Sequence, residues 1–147
     1  MRRVTAIVIA VVVAAVAVGL VLTRPRPEWS SKDSEAVAEL LKGREALGKL
    51  YFHEAVEHFR TALARDSRFV AARLMLASAL MGLDQREAAM RELDQVLETD
   101  PATLRPREVR MLEMWRLQRA RKEDELVDLL KRYAAEVPDD ADIPRQL

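Results

Sequence analysis

The sequence predicts an all-α protein: an N-terminal transmembrane helix, then a short array of helical hairpins. Three observations carry this. Nineteen successive residues, Val4 to Leu22, hold no charge. From Ser34 onward apolar residues recur at helical spacing, and no run alternates polar and apolar residues over a strand's length. Within that region, Ala55, Phe59, Ala62, Leu63, Asp66 and Ser67 return 34 residues later as Ala89, Leu93, Val96, Leu97, Asp100 and Pro101. Gly48 returns as Gly82 at the same offset. A fixed period of this length marks a stacked helical repeat.

Residues 1–22 read as a signal anchor. A helix over Val4 to Leu22 is ~28 Å long, near the hydrocarbon thickness of a bilayer. It has no polar stripe, as a core helix would. A cleaved signal peptide would use Ala15-Val16-Ala17, which strands Val18 to Leu22 as an apolar stub. Residues 23–33 read as a linker, stiffened by Pro25 and Pro27. Trp29 in that linker is either a headgroup-level aromatic or a solvent-facing residue.

Residues 34–138 form the helical domain, with units at about 36–69, 70–103 and 106–138, and 139–147 is a tail. In the first unit Ser34 to Lys49 gives a helix A with Val37, Leu40, Leu41 and Leu47 apolar. Helix B follows with Ala55, Val56, Phe59, Leu63 and Ala64. The second unit repeats this with Leu74, Leu76, Leu80 and Met81, then Ala88, Ala89, Leu93, Val96 and Leu97. A third, degenerate unit runs from Pro106. Pro138 falls 37 residues after Pro101, so three residues are inserted, most simply in Ala102-Thr103-Leu104-Arg105.

The segments Leu40-Leu41-Lys42-Gly43, Phe52-His53-Glu54-Ala55-Val56 through Asp66, and Glu87-Ala88-Ala89 through Pro101 resemble the tetratricopeptide repeat. Departures are Glu39 and Lys42, where the pattern prefers an aromatic and a leucine, and Leu50 and Asp84, where it often has glycine. The resemblance implies small residues where helices A and B cross: Gly43, Ala55, Ala62, Ala77 and Ala89. It also implies a concave groove lined by helices A. The register places Leu40, Arg44 and Leu47, then Leu74, Ser78 and Met81, then Met111, Trp115 and Gln118 with Arg119 in that groove. Such a groove suits a protein or peptide partner with apolar anchors and an acidic residue. The arrangement is also similar to repeat domains of bacterial membrane-bound kinases and adenylate cyclases. That likeness leaves a second reading, the remnant sensor region of a signalling protein. It also favours a bacterial inner-membrane protein with the array extracytoplasmic, although Arg2 and Arg3 nearly balance Arg24, Arg26 and Lys32 across the span.

Composition narrows the classes. The 147 residues carry 24 basic and 24 acidic groups, which gives no global pull toward nucleic acid. A nucleic-acid binder stays as the weakest alternative, on the seven cations between Arg105 and Lys122. No disulfide is possible without cysteine. His53 and His58 are five apart, so they stand about 140° apart around a helix and do not make a zinc pair. No nucleophile, phosphate loop or metal set is expected, and the reading is a non-enzymatic scaffold without cofactor. The array reads as ending without a capping helix, so the outer face of helix 123–137, with Val127, Leu130 and Ala134, is expected to be uncovered and to take a partner or a second copy, or else the chain is a shortened member of a longer family.

Overall fold

The computed structural model describes residues 27–136. Among the described residues the secondary structure is helical, with no strand. Six α-helices form three pairs: α1 (Ser34–Gly48) with α2 (Phe52–Arg65), α3 (Val70–Gly82) with α4 (Arg86–Asp94), and α5 (Pro106–Arg119) with α6 (Glu123–Glu136). A 3-10 turn, Pro101–Thr103, lies ahead of α5 and absorbs part of the inserted length.

The same turn closes all three pairs. Leu50, Asp84 and Arg121 take the left-handed conformation, with φ of 63°, 59° and 55°. Each is the middle of a three-residue connection. Leu50 N–H donates to Leu47 C=O at 3.0 Å, and Tyr51 N–H to Ala46 C=O at 2.9 Å. The second pair repeats this from Asp84 to Met81 and from Gln85 to Leu80, and the third from Arg121 to Gln118 and from Lys122 to Leu117. These are paired bonds of the Schellman type, which satisfy the last carbonyls of a helix. A side chain in this conformation is strained relative to glycine, so its recurrence at non-glycine residues reflects one imposed geometry. The spacing of the three positions is 34, then 37 residues, the same offsets as between the helix pairs read from the sequence.

Helices α1, α3 and α5 form one layer, since α3 packs on both of the others. Helix α2 packs between α1 and α3, α4 packs on α3, and α6 packs on α5. Helix α3 is central, with nine of its thirteen residues buried, which explains why it is apolar on nearly every side. Ala55, Ala62, Ala77 and Ala89 are completely buried, as expected for helix crossings. At Gly43 the flat ring of Phe59 lies against the backbone: a Cβ there would sit 2.6 Å from a ring carbon. Gly82 receives Phe52 in the same way.

The joint to the third pair differs. Backbone packing joins α5 to α3, while long side chains reach toward α4. Arg116 donates through Nε to Leu97 C=O at 2.7 Å and through Nη2 to Thr99 C=O at 2.8 Å. Arg119 reaches Asp94 at 3.0 Å and the Met90 sulfur.

Residues 27–33 are not a free linker. Trp29 is 4% exposed and belongs to the core. Its ring meets Phe69 edge-on, with centroids 6.4 Å apart, and the Arg107 guanidinium lies 5.2 Å from its centroid. Ser30 donates to the Glu108 carboxylate twice, from N–H at 3.0 Å and from Oγ at 2.7 Å. Glu28 ion-pairs with Arg107. Asp33 caps α1 by accepting from Glu35 and Ala36 N–H, both at 2.9 Å, and binds Arg65 at 3.2 Å. The interfacial or solvent-facing expectation for Trp29 is therefore corrected: Phe69 and Arg107 give its ring a better environment than either.

Two further expectations change. Among the described residues no helix is long and apolar enough to cross a membrane. The placement as a single-pass membrane protein is corrected on that finding, and the expected anchor, 1–22, lies outside the described residues, as does the tail from 139. On α6, Leu130 is buried, Val127 is half-buried and the exposed positions are charged residues or alanine. The apolar outer face expected there is not presented, because Leu129 and Leu130 are both turned out of solvent.

Candidate functional site

The A-layer helices converge on one pocket of about 310 Å³. Arg44, Leu47 and Gly48 come from α1, Met75 and Ser78 from α3, and Met111, Met114 and Trp115 from α5. The register explains the convergence. Arg44 and Ser78 are 34 apart, and Trp115 follows Ser78 by 37, so one position of the unit supplies a wall residue from every pair. The pocket is apolar with a cationic edge. Ser78 Oγ is turned back to Leu74 C=O at 3.3 Å, so its hydroxyl is already satisfied within its own helix. Unbranched methionine side chains adapt to irregular shapes, and Trp115 supplies a rigid aromatic plate.

The remaining groove residues lie elsewhere. Leu40 and Leu74 are fully buried in the core, so they have no surface to offer a partner. Their place in the groove is corrected: the apolar stripe of each helix A is consumed by packing between the layers. Met81 is half-buried against the core and does not line the pocket. Gln118 is exposed beyond it, and Arg119 turns toward Asp94. The register does not point to Gly48, Met75 and Met114. Their signal was available, since Met75 precedes Ser78 by three and Met114 follows Met111 by three, one turn along the same faces.

A second, more open cleft of about 990 Å³ lies between α5 and α6, with both signs of charge on its rim. There Tyr133 donates to Glu113, and the Arg110 guanidinium is 5.6 Å from the Tyr133 ring centroid. Burial, then the Glu113 bond, pushes the Tyr133 phenol well above its ordinary value.

Five of the seven cations from Arg105 to Lys122 have internal partners. Arg107 serves Glu28 and Trp29, Arg110 serves Tyr133, and Arg116 serves two carbonyls. Arg119 holds Asp94 and Lys122 holds Glu125. Arg107, Arg110, Arg116 and Arg119 fasten the third pair, and nothing supports a nucleic-acid surface there. The histidines are similarly placed by packing. His58 Nδ1 lies 2.7 Å from Glu39 Oε2, whereas His53 is exposed. Lys42 and then His58 hold the Glu39 carboxyl below its usual range. A carboxylate thus fills a position where the resembling pattern has an aromatic.

The tetratricopeptide repeat family model matches residues 52–112. These residues are tetratricopeptide repeat. The match runs from α2 into α5 and takes in Met75, Ser78 and Met111 of the pocket. No match was found among curated proteins or among solved structures. The tetratricopeptide repeat supports a role as a protein-interaction scaffold.

Proposed function

We propose that this tetratricopeptide array is a scaffold that holds one bulky apolar side chain of a peptide partner in the A-layer pocket, with an acidic group of the peptide beside Arg44. The observation that carries the reading is the convergence of Arg44, Ser78 and Trp115, one register position from all three helix pairs, on a single cavity. At about 310 Å³ the cavity is at the small end of the ~300–1,000 Å³ range for ligand sites, so it suits one anchor residue within a longer contact. The methionine walls accommodate more than one anchor shape. In this reading α5 and α6 are a third, degenerate unit, a view supported by the third left-handed turn at Arg121.

A random peptide display library selected on the full-length chain tests this. Enriched peptides are expected to share a large apolar residue near Asp or Glu. Arg44→Glu and Trp115→Ala are each expected to weaken such a peptide by about tenfold or more, about 1.4 kcal/mol. Arg91→Glu, on the exposed side of α4, is expected to leave it unchanged. Failure to enrich any such peptide, or equal binding by all three variants, would overturn the reading.

A further inference from the structure

Residues 27–33 cross the array rather than leave it. Within seven residues the strap caps α1 through Asp33, meets the start of α3 through the Trp29–Phe69 contact, and holds α5 through Ser30, Glu28 and the Arg107–Trp29 stack. The partners on α5 lie 78 or 79 residues away in sequence. At the centre is Glu108, completely buried, whose carboxylate accepts from Ser30 N–H, Ser30 Oγ and Arg105 N–H. A buried carboxylate is costly without such bonds, so docking of the strap and seating of the first turn of α5 stabilise each other.

Helix α5 also carries three of the pocket walls. Met111 follows Glu108 by one turn and Trp115 follows it by two, on the same side of the helix. No strap residue lines the pocket. The strap therefore acts on the groove through the helices it holds, and it reaches the three α5 walls through Glu108 and Arg107; α5 is otherwise fixed by α3, by α6 and by side-chain bridges toward α4.

We propose that the strap is a control element for the groove. Trp29, Ser30 and Glu108 are positioning residues: docked, they hold Met111, Met114 and Trp115 at the spacing that completes the pocket, and released, they let α5 move and empty it. Anything that captures or pulls residues 27–33 then lowers groove affinity, and a groove ligand tightens the strap by the same factor. This rests on the groove reading above for its ligand, but the positioning of α5 is testable without one.

The test uses the full-length chain, which has no cysteine and only two tryptophans. Nitroxide labels on Lys49→Cys and Gln118→Cys, both exposed positions on or beside α1 and α5, report the separation of those helices. Trp29 reports the strap through acrylamide quenching when Trp115 is changed to Phe. Ser30→Ala and Trp29→Ala release the strap, the first by removing a single hydroxyl bond. The expected result is a shifted or broadened label separation in variants that keep their helical circular dichroism, with Trp29 more quenched in Ser30→Ala. A display-selected peptide is expected to bind these variants, with Trp115 intact, at least about fivefold more weakly. An unchanged separation in whichever variant stays helical overturns the proposal. A changed separation with no peptide binding to the intact chain instead upholds strap control of α5 and sinks the groove reading.

Discussion

Gly43→Ala isolates the tightest helix crossing. A Cβ at residue 43 would lie 2.6, 2.8 and 3.0 Å from three carbons of the Phe59 ring. Carbon contacts are at rest near about 3.5–4 Å, so roughly 1 Å must be relieved. The ring is completely buried and has nowhere to swing. Overpacking of this kind costs about 1–3 kcal/mol, and contact with three ring atoms puts this site near about 3. The exchange also gains about 1 kcal/mol of helix propensity. The net loss is then about 2 kcal/mol, or roughly 8–15 °C in Tm for a domain of this size. Gly48→Ala is the control on the same helix, because nothing lies within 4 Å of a Cβ there. It is expected to be neutral or stabilising by up to about 1 kcal/mol. The register offers the rescue. Thirty-four residues on, the same two positions are Ala77 and Leu93, both buried. Gly43→Ala combined with Phe59→Leu copies that pairing, and should recover at least about 1 kcal/mol relative to additive single changes. Urea unfolding followed by circular dichroism measures the intact chain, Gly43→Ala, Gly48→Ala, Phe59→Leu and the double variant. A neutral Gly43→Ala, or single costs that simply add, would refute the reasoning.

Two other outcomes follow from the geometry. Leu50→Gly, Asp84→Gly and Arg121→Gly each relieve a left-handed residue, and Leu50 is 69% exposed, so little packing is lost. Each should stabilise by about 0.5–1 kcal/mol, the steric relief of ~1–2 less the extra chain entropy of glycine, with near-additive shifts in the urea midpoint; destabilisation by all three would show that the turns are not strained. Tyr133 has a folded-state pKa raised above its unfolded value, so its contribution is complete below about pH 10 and fades as pH rises beyond that. Stability measured from about pH 9 to 11 should therefore fall more steeply in the intact chain than in Tyr133→Phe, and parallel curves would count against the burial of the phenol and its Glu113 bond.

The parts of the fold that a period can encode were legible in the chain. The 34-residue offset located α1 to α4, and Pro106 and Glu123 marked the starts of α5 and α6 because each opens an amphipathic run. The pocket was partly legible for the same reason: Arg44, Ser78 and Trp115 share a register position. Leu40 and Leu74 went to the core instead, because a helix between two layers uses its strongest apolar positions for packing and leaves the flanking ones for a groove. The strap was not legible. Its contacts join residues 78 apart and belong to no repeat, and Pro25 and Pro27 suggested an extended connector. The remaining clue was Glu108, an acid among arginines at the third position of a helix that opens with proline, where a carboxylate can turn back on the preceding backbone.

In an open stack of repeats each unit senses only its immediate neighbours, and the ends fray first. Here the bonds from Ser30 to Glu108 bring the approach to the first pair onto the start of the third. The approach to the first pair and the start of α5 are thereby tied together, and separating them must break the same buried carboxylate contacts. Such a tie makes the three helix pairs unfold more as one body than as a row of independent pieces, a cooperativity that an open row of pairs lacks.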